Sequence, residues 1–305
     1  MSRPEALALD AFGASGTDQF AEQRRSATEV LSHAHAKLTS GVIEWCAHIR
    51  ELSQISPSAA FLAMTSTMPW TEADTPILRT VLVPTTDATT GDASYAALGW
   101  ELAAFAWVET GDNATRVLWE VPTELCQSQP LGVAIGLRNL GPRQVSLPAE
   151  FDPNWKRVPA RNAEGAGLED RLRLGVAAMA LGIADTALTA TVNYLRSGKA
   201  LPAQEQTLHF MLSDLATELR AAELSVEHSA QRWGQTESHS GHCAAAKLYS
   251  CEMNVRALTT AVQIVGQKGY TCKLASQLSD ARFLAIYPTT SERDRNEVAR
   301  QMLKD

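Results

Sequence analysis

Three groups of residues have side chains and spacing that could do chemistry. Glu169, Asp170 and Glu292 are carboxylates, the type that removes a proton from carbon when burial tunes its pKa. All three stand where apolar-periodic runs begin, and they read as acids that favour a helix N-terminus. His239, His242, Cys243 and Cys251 carry metal-ligand atoms. A zinc site pairs ligands at short spacing on both sides of a loop, and here the second half offers a single cysteine. The group therefore reads as a polar loop entering a helix. The third group is Gln263-Ile-Val-Gly-Gln-Lys-Gly-Tyr270, whose glycines 266 and 269 can end a helix or let backbone N–H groups approach an anion closely. His33, His35 and His48 lie inside helical patterns and read as surface or satisfied side chains.

The elements that must position these groups change character along the chain. Residues 1–16 are small and polar and read as a loose arm. From Thr17 to Leu52 apolar residues recur at helical spacing, with a break near Ser40-Gly41. Thr80–Pro84, Ala103–Val108, Arg116–Pro122 and Gln144–Pro148 are short strand-like runs separated by turn formers. After the polar stretch Asp152–Gly167, helices dominate. Val176, Met179, Ile183, Ala187, Thr191 and Tyr194 form one buried face of a long helix ending near Arg196. Four more follow: one to about Trp233, one to Gly269, and two shorter ones near Leu274–Ile286 and Ser291–Lys304. Short connections favour antiparallel packing. The expected fold is α+β and mainly α. Its parts are a reduced N-terminal helical region (1–56), a small antiparallel β domain (57–150), a linker (151–167) and a C-terminal four-helix bundle (168–305).

With 305 residues the chain can bury a large core, and 45% apolar with 20% charged residues is the composition of a globular protein. A formal charge of −7 argues against a nucleic-acid partner. No window reaches the ~20 uninterrupted apolar residues of a membrane span, and Met-Ser-Arg-Pro-Glu-Ala lacks a signal peptide's apolar core, so the expected location is cytoplasmic. The five cysteines are odd in number and widely spaced and read as reduced thiols.

In order, Arg173 nine residues before Gly182-Ile-Ala, then Ala187-Leu, Asn193-Tyr, the Gln263–Tyr270 run and Ile286-Tyr-Pro-Thr-Thr-Ser291 resemble the C-terminal helical domain of the acyl-CoA dehydrogenase family. The resemblance implies FAD, with Arg196, Gln206, Gln263, Gly266 and Thr290 in contact with it. Asp214 also matches, the family's Phe-Gly is gone, and Gln267 replaces a second glycine. The family's catalytic glutamate sits in a Tyr-Glu-Gly-Thr segment, or, in a minority, immediately before the first-helix arginine. Those positions are Pro288 and Leu172 here, so no catalytic residue is assigned. Glu169 and Asp170 stand about 300° and 200° around the helix from Leu172, which reads as other faces. The flavin-ring segment is at best echoed by Phe61-Leu-Ala-Met-Thr65.

The resemblance thus implies a base-lacking subunit of a heteromeric assembly, a heterotetramer, inactive alone and sharing FAD with a full-length catalytic acyl-CoA dehydrogenase subunit. That subunit would supply the base for α,β-dehydrogenation of an acyl-CoA, with steroid side-chain CoA esters as candidate substrates. Electrons would pass to an external acceptor. The alternatives are an independent, monooxygenase-like flavoenzyme and a flavin-free structural homo-oligomer.

Overall fold

The computed structural model describes residues 41–67, 78–86, 93–110, 117–132, 136–159, 167–197, 205–233, 239–270 and 273–303. The expected arm, the helical stretch before residue 41 with His33 and His35, and Cys272 lie outside the described residues.

Two helices come first, α1 (Val42–Ile55) and α2 (Pro57–Ser66). Ser56 separates them in extended conformation, and its hydroxyl accepts from the Ala59 N–H ahead of a proline at the first position of α2. Every residue of α2 is buried. The first ten residues of the expected β domain (57–150) are therefore helical, and Phe61–Thr65, the echo of the flavin-ring segment, lies buried within this helix. A continuous apolar run can be a buried helix or a buried strand, and here it is the helix.

The strands are β1 (Arg79–Val81), β2 (Val83–Thr86), β3 (Ala93–Ala97), β4 (Phe105–Thr110), β5 (Val117–Pro122), β6 (Gln127–Pro130), β7 (Arg143–Ser146) and β8 (Arg157–Pro159). They form two four-stranded sheets, ordered β1-β4-β5-β8 and β2-β3-β7-β6. The pairing is antiparallel except for β1 beside β4, which is parallel, a second departure from expectation. β3 and β6, with sequences Ala-Ser-Tyr-Ala-Ala and Gln-Ser-Gln-Pro, lack β-branched residues, so backbone pairing rather than propensity makes them strands.

The long helices are α3 (Leu168–Arg196), α4 (Glu205–Gln231) and α5 (His239–Val265), followed by α6 (Lys273–Leu284) and α7 (Ser291–Met302). Helix α3 is long and apolar enough to cross a membrane, with a mean hydropathy of 1.5 in its most apolar window, yet two-thirds of that window is buried inside the protein. It is the core, packed against α1, α4 and α5. Its glycines make the contact with the first two helices possible. A methyl group on Gly175 would lie 2.6 Å from the Trp45 ring, and one on Gly182 would strike the Arg50 carbonyl oxygen. Ser53 donates to the Met179 carbonyl at 2.6 Å, which holds α1 at this distance. Gly182→Ala should cost about 1–3 kcal/mol, the range for overpacking a filled core; a chemical-denaturation midpoint equal to wild type would show that α1 can step back freely.

Side-chain pairs fix the register of the bundle. Arg50 on α1 donates to Asp185 on α3 (2.7 Å) and Glu223 on α4 (2.6 Å), so those two residues stand level. Ser229 on α4 donates to the His242 carbonyl (3.0 Å), and Arg256 on α5 to Glu218 (3.1 Å), so α4 and α5 run antiparallel. Ser240 at the start of α5 donates to Asp170 at the start of α3 (2.8 Å), so α3 and α5 run parallel.

Candidate functional site

At the end of the bundle where α3, α5 and α7 begin, the segment joining α6 to α7 is clamped by buried charge. Asp294 is fully buried, and its carboxylate accepts from Arg173 Nε (2.9 Å), Thr289 Oγ1 (2.6 Å) and Lys247 Nζ (2.8 Å). The Lys247 ammonium, 1% exposed, also donates to the Thr289 and Ala285 carbonyls, and so grips the connecting segment at two points. Arg173 binds Asp170 (3.1 Å) and Glu169 (2.5 Å) as well. Burial works against the Arg173 charge; Glu169, Asp170 and Asp294 together outweigh it and hold the guanidinium above its usual range.

This clamp shapes one wall of a cavity of about 400 Å³ between α3, α7 and the sheets. Leu168, Leu172, Pro288 and residues 81–84 give it apolar walls, and Glu109, Glu169, Thr289, Thr290 and Arg293 are its polar groups. The peptide bond before Pro288 is cis. Leu172 and Pro288, 116 positions apart in sequence, therefore face the same space, and neither can carry a proton.

Glu169 faces it too, which corrects its assignment to another face of α3. Positions three apart are neighbours on a helix, and the 300° rotation leaves Glu169 only 60° from Leu172. Its carboxylate is bound by both Arg173 and Arg293, the latter at 2.6 Å. Both of its oxygens are thereby engaged by guanidinium groups. Asp170 is also more than a helix-terminal acid. It is buried, accepts from the Gly167 N–H (3.3 Å) as well as from Ser240, and holds Arg173, so its removal would disturb the clamp instead of reporting on a base. Glu292 does occupy the first turn of α7, where its own backbone N–H and the Thr290 hydroxyl hold its carboxyl below the usual range. The sequence reading had no signal for Lys247 or Asp294. Each is a lone charged residue in a helix, and only the packing brings them together.

The five residues implied for FAD fall into two groups. Thr290 lies at the cavity, where it caps α7 by accepting from the Arg293 N–H. Arg196 ends α3, Gln206 opens α4, and Gln263 and Gly266 end α5. The helix register sets these four level with one another at the opposite end of the bundle. Arg196, Gln206 and Gln263 are exposed, and Gly266 has φ 69° with nothing within 4 Å of where a Cβ would stand. That end presents amide and guanidinium donors and an uncovered backbone turn, which suits a phosphate-bearing cofactor. From Leu172 to Arg196 is 24 residues of continuous helix, about 36 Å at 1.5 Å per residue, longer than an extended dinucleotide.

His239 and Cys243 are buried, and among the described residues no three His, Cys, Asp or Glu side chains are placed to hold a metal ion.

Comparison with known proteins identifies the helical part. Residues 169–303 match the family "Acyl-CoA dehydrogenase, C-terminal domain". This region is an acyl-CoA dehydrogenase C-terminal domain. The chain is 35% identical over 162 residues to the "Probable acyl-CoA dehydrogenase YngJ" of Bacillus subtilis (strain 168), a match that covers 48% of this chain and 43% of that one. It is 32% identical over 137 residues to the "Caffeyl-CoA reductase-Etf complex subunit CarC" of Acetobacterium woodii, covering 43% and 36%. The matched part thus spans less than half the length of these curated relatives. The chain superimposes on butyryl-CoA dehydrogenase from Megasphaera elsdenii with a TM-score of 0.70 at 20% identity, covering 94% of this chain and 90% of that one. The architecture is therefore the acyl-CoA dehydrogenase-like fold, mostly helical, with small sheets before the C-terminal acyl-CoA dehydrogenase domain.

Proposed function

We propose that this chain is a base-lacking subunit of an FAD-dependent acyl-CoA dehydrogenase that works beside a full-length catalytic partner. The observation that carries the reading is that both family positions for the base, Leu172 and Pro288, line one cavity as apolar side chains. The neighbouring Glu169 is occupied by two arginines. α,β-Dehydrogenation of an acyl-CoA needs a carboxylate to take the α-proton, and in this reading the partner supplies it.

The separation of the FAD residues supports a shared cofactor. Arg196, Gln206, Gln263 and Gly266 lie about 36 Å along α3 from the cavity holding Thr290. The two groups in one chain therefore serve different sites, each completed by another chain. In this assignment Arg196, Gln206 and Gln263 donate to the outer, phosphate-bearing part of the cofactor, and the Gly266 turn leaves room for it. A bound FAD would supply the acceptor for the hydride lost from the β-carbon. The electrons then leave to an external acceptor, a role consistent with the Etf complex named for the Acetobacterium relative. Steroid side-chain CoA esters remain the candidate substrates, and the cytoplasm the proposed location.

Arg196→Ala and Gln263→Ala in the co-purified assembly should each lower FAD retention about tenfold, the loss of one charge-assisted or well-placed hydrogen bond. Glu169→Gln should leave turnover within about twofold of wild type, because no proton transfer of the 10²–10⁴-fold class depends on it. Bound flavin and dehydrogenation rates measured on the same samples check both. Undiminished flavin in the first two variants would remove the shared-site assignment, and a collapse of turnover in the third would relocate the base to Glu169.

A further inference from the structure

The cavity that Leu172 and Pro288 line has the make-up of a small-molecule site: about 400 Å³, apolar walls and a few converging polar groups. Its lining passes from Ile286, 62% exposed, to Leu82 and Leu172, each 3% exposed. Much of its polar capacity is already used. The Thr289 hydroxyl donates to Asp294 and its carbonyl accepts from Lys247. The Thr290 hydroxyl accepts from the Arg293 N–H (3.4 Å) and bonds the Glu292 carboxyl. The ion pair of Glu169 with Arg293 has capacity to spare. A guanidinium carries five N–H donors, and Arg293 gives one of them to Glu169. Each Glu169 oxygen accepts from one guanidinium and has room for a second donor.

The same pair forms part of a second cavity of about 260 Å³. It shares Glu109, Leu168, Glu169 and Arg293 with the first and adds Asp170, Arg173, Glu297 and Arg300. An apolar space and a charged one thus meet at Glu169 and Arg293. The charges there select the polar group that fits. Four carboxylates stand against three guanidiniums, so an anionic head meets net repulsion. A cationic head meets the three guanidiniums, and the acids beside it are paired: Asp170 with Arg173, Glu297 with Arg300, Glu169 with Arg173 and Arg293. A hydroxyl adds no charge, and it can donate to Glu169 while accepting from Arg293.

We propose that this cavity binds a neutral apolar molecule ending in a hydroxyl group, with the hydroxyl bridging the Glu169–Arg293 pair and the body against Leu82, Leu172 and Pro288. The site holds its ligand without converting it; that part rests on the base-lacking reading above, and the binding itself does not.

Calorimetric titration of the full chain at neutral pH with octanol, octanoate and octylamine tests this. Octanol should saturate at one molecule per chain and bind at least about tenfold tighter than either charged relative. Arg293→Gln, a change at a side chain 64% exposed, should weaken octanol binding about tenfold, the loss of one hydrogen bond to a charged group. Leu172→Phe should abolish it by filling the cavity. Four results each overturn the proposal: no saturable octanol binding, octanoate or octylamine binding as tightly, Arg293→Gln equal to wild type, or full binding by a folded Leu172→Phe. Should Leu172→Phe fail to fold, the comparison of head groups and Arg293→Gln decide without it. No titration contains flavin or a CoA ester, so failure here leaves the base-lacking assignment standing. Turnover by the chain alone would remove that assignment and leave the titration untouched.

Discussion

Asp294→Ala is expected to cost the fold about 3–5 kcal/mol, the range for breaking one side of a buried ion pair. The loss arises less from the missing bonds than from what stays behind. Lys247 would keep its ammonium 1% exposed among the carbonyls of Ala285 and Thr289, with no counter-charge. Arg173 would still hold Glu169 and Asp170 and would suffer less. The double variant Lys247→Met/Asp294→Leu should therefore recover most of the loss, because removing both charges removes the desolvation cost as well. Chemical denaturation of the two variants beside wild type measures this. A loss under about 1 kcal/mol for the single variant would mean that water reaches Lys247.

Trp45→Ala should cost as much, about 3–5 kcal/mol, for a large buried side chain removed from a filled core. Trp45 is fully buried, and its Nε1 donates to Thr67 Oγ1 at 2.9 Å. Its ring also lies 3.8 Å beneath the Arg171 guanidinium. Arg171 is 2% exposed with Nε and Nη1 unpartnered, and burial pulls its pKa down to about 9. The π face of Trp45 and the Thr67 carbonyl are what this buried cation has in place of a carboxylate. Arg171→Met should accordingly be neutral or stabilising by about 1 kcal/mol, since it deletes an unpaired charge and keeps the volume. Denaturation midpoints moving in opposite directions for these two substitutions would support this assignment. A loss of similar size in both would contradict it and make Arg171 a net stabilising group.

The helical half was legible in sequence because its physics is local and periodic. The apolar face from Val176 to Tyr194 needed a single long helix, and the family motifs lie on that helix and on α5 to α7. Pro57–Ser66 was not legible, because a run buried on all sides has no polar face to declare its period. β3 and β6 escaped because, Tyr95 apart, their residues have no strand preference of their own. At the cavity, Leu172 and Pro288 were found by motif alignment, but that they share one space with Glu169 depended on the crossing of α3 with the α6–α7 connection. Lys247 and Asp294 were invisible for the same reason: a buried ion pair 47 positions apart exists only in three dimensions.

The central claim is that a flavin site is completed only between chains, with the base on the other one. The most direct measurement is the visible absorption spectrum of this chain, purified alone and co-purified with the product of its nearest neighbouring gene. The account predicts no flavin band from the chain alone and a stoichiometric band, with acyl-CoA turnover, from the pair. A flavin band and turnover from the chain alone would contradict it, and would require a base within this chain that neither Leu172 nor Pro288 can provide.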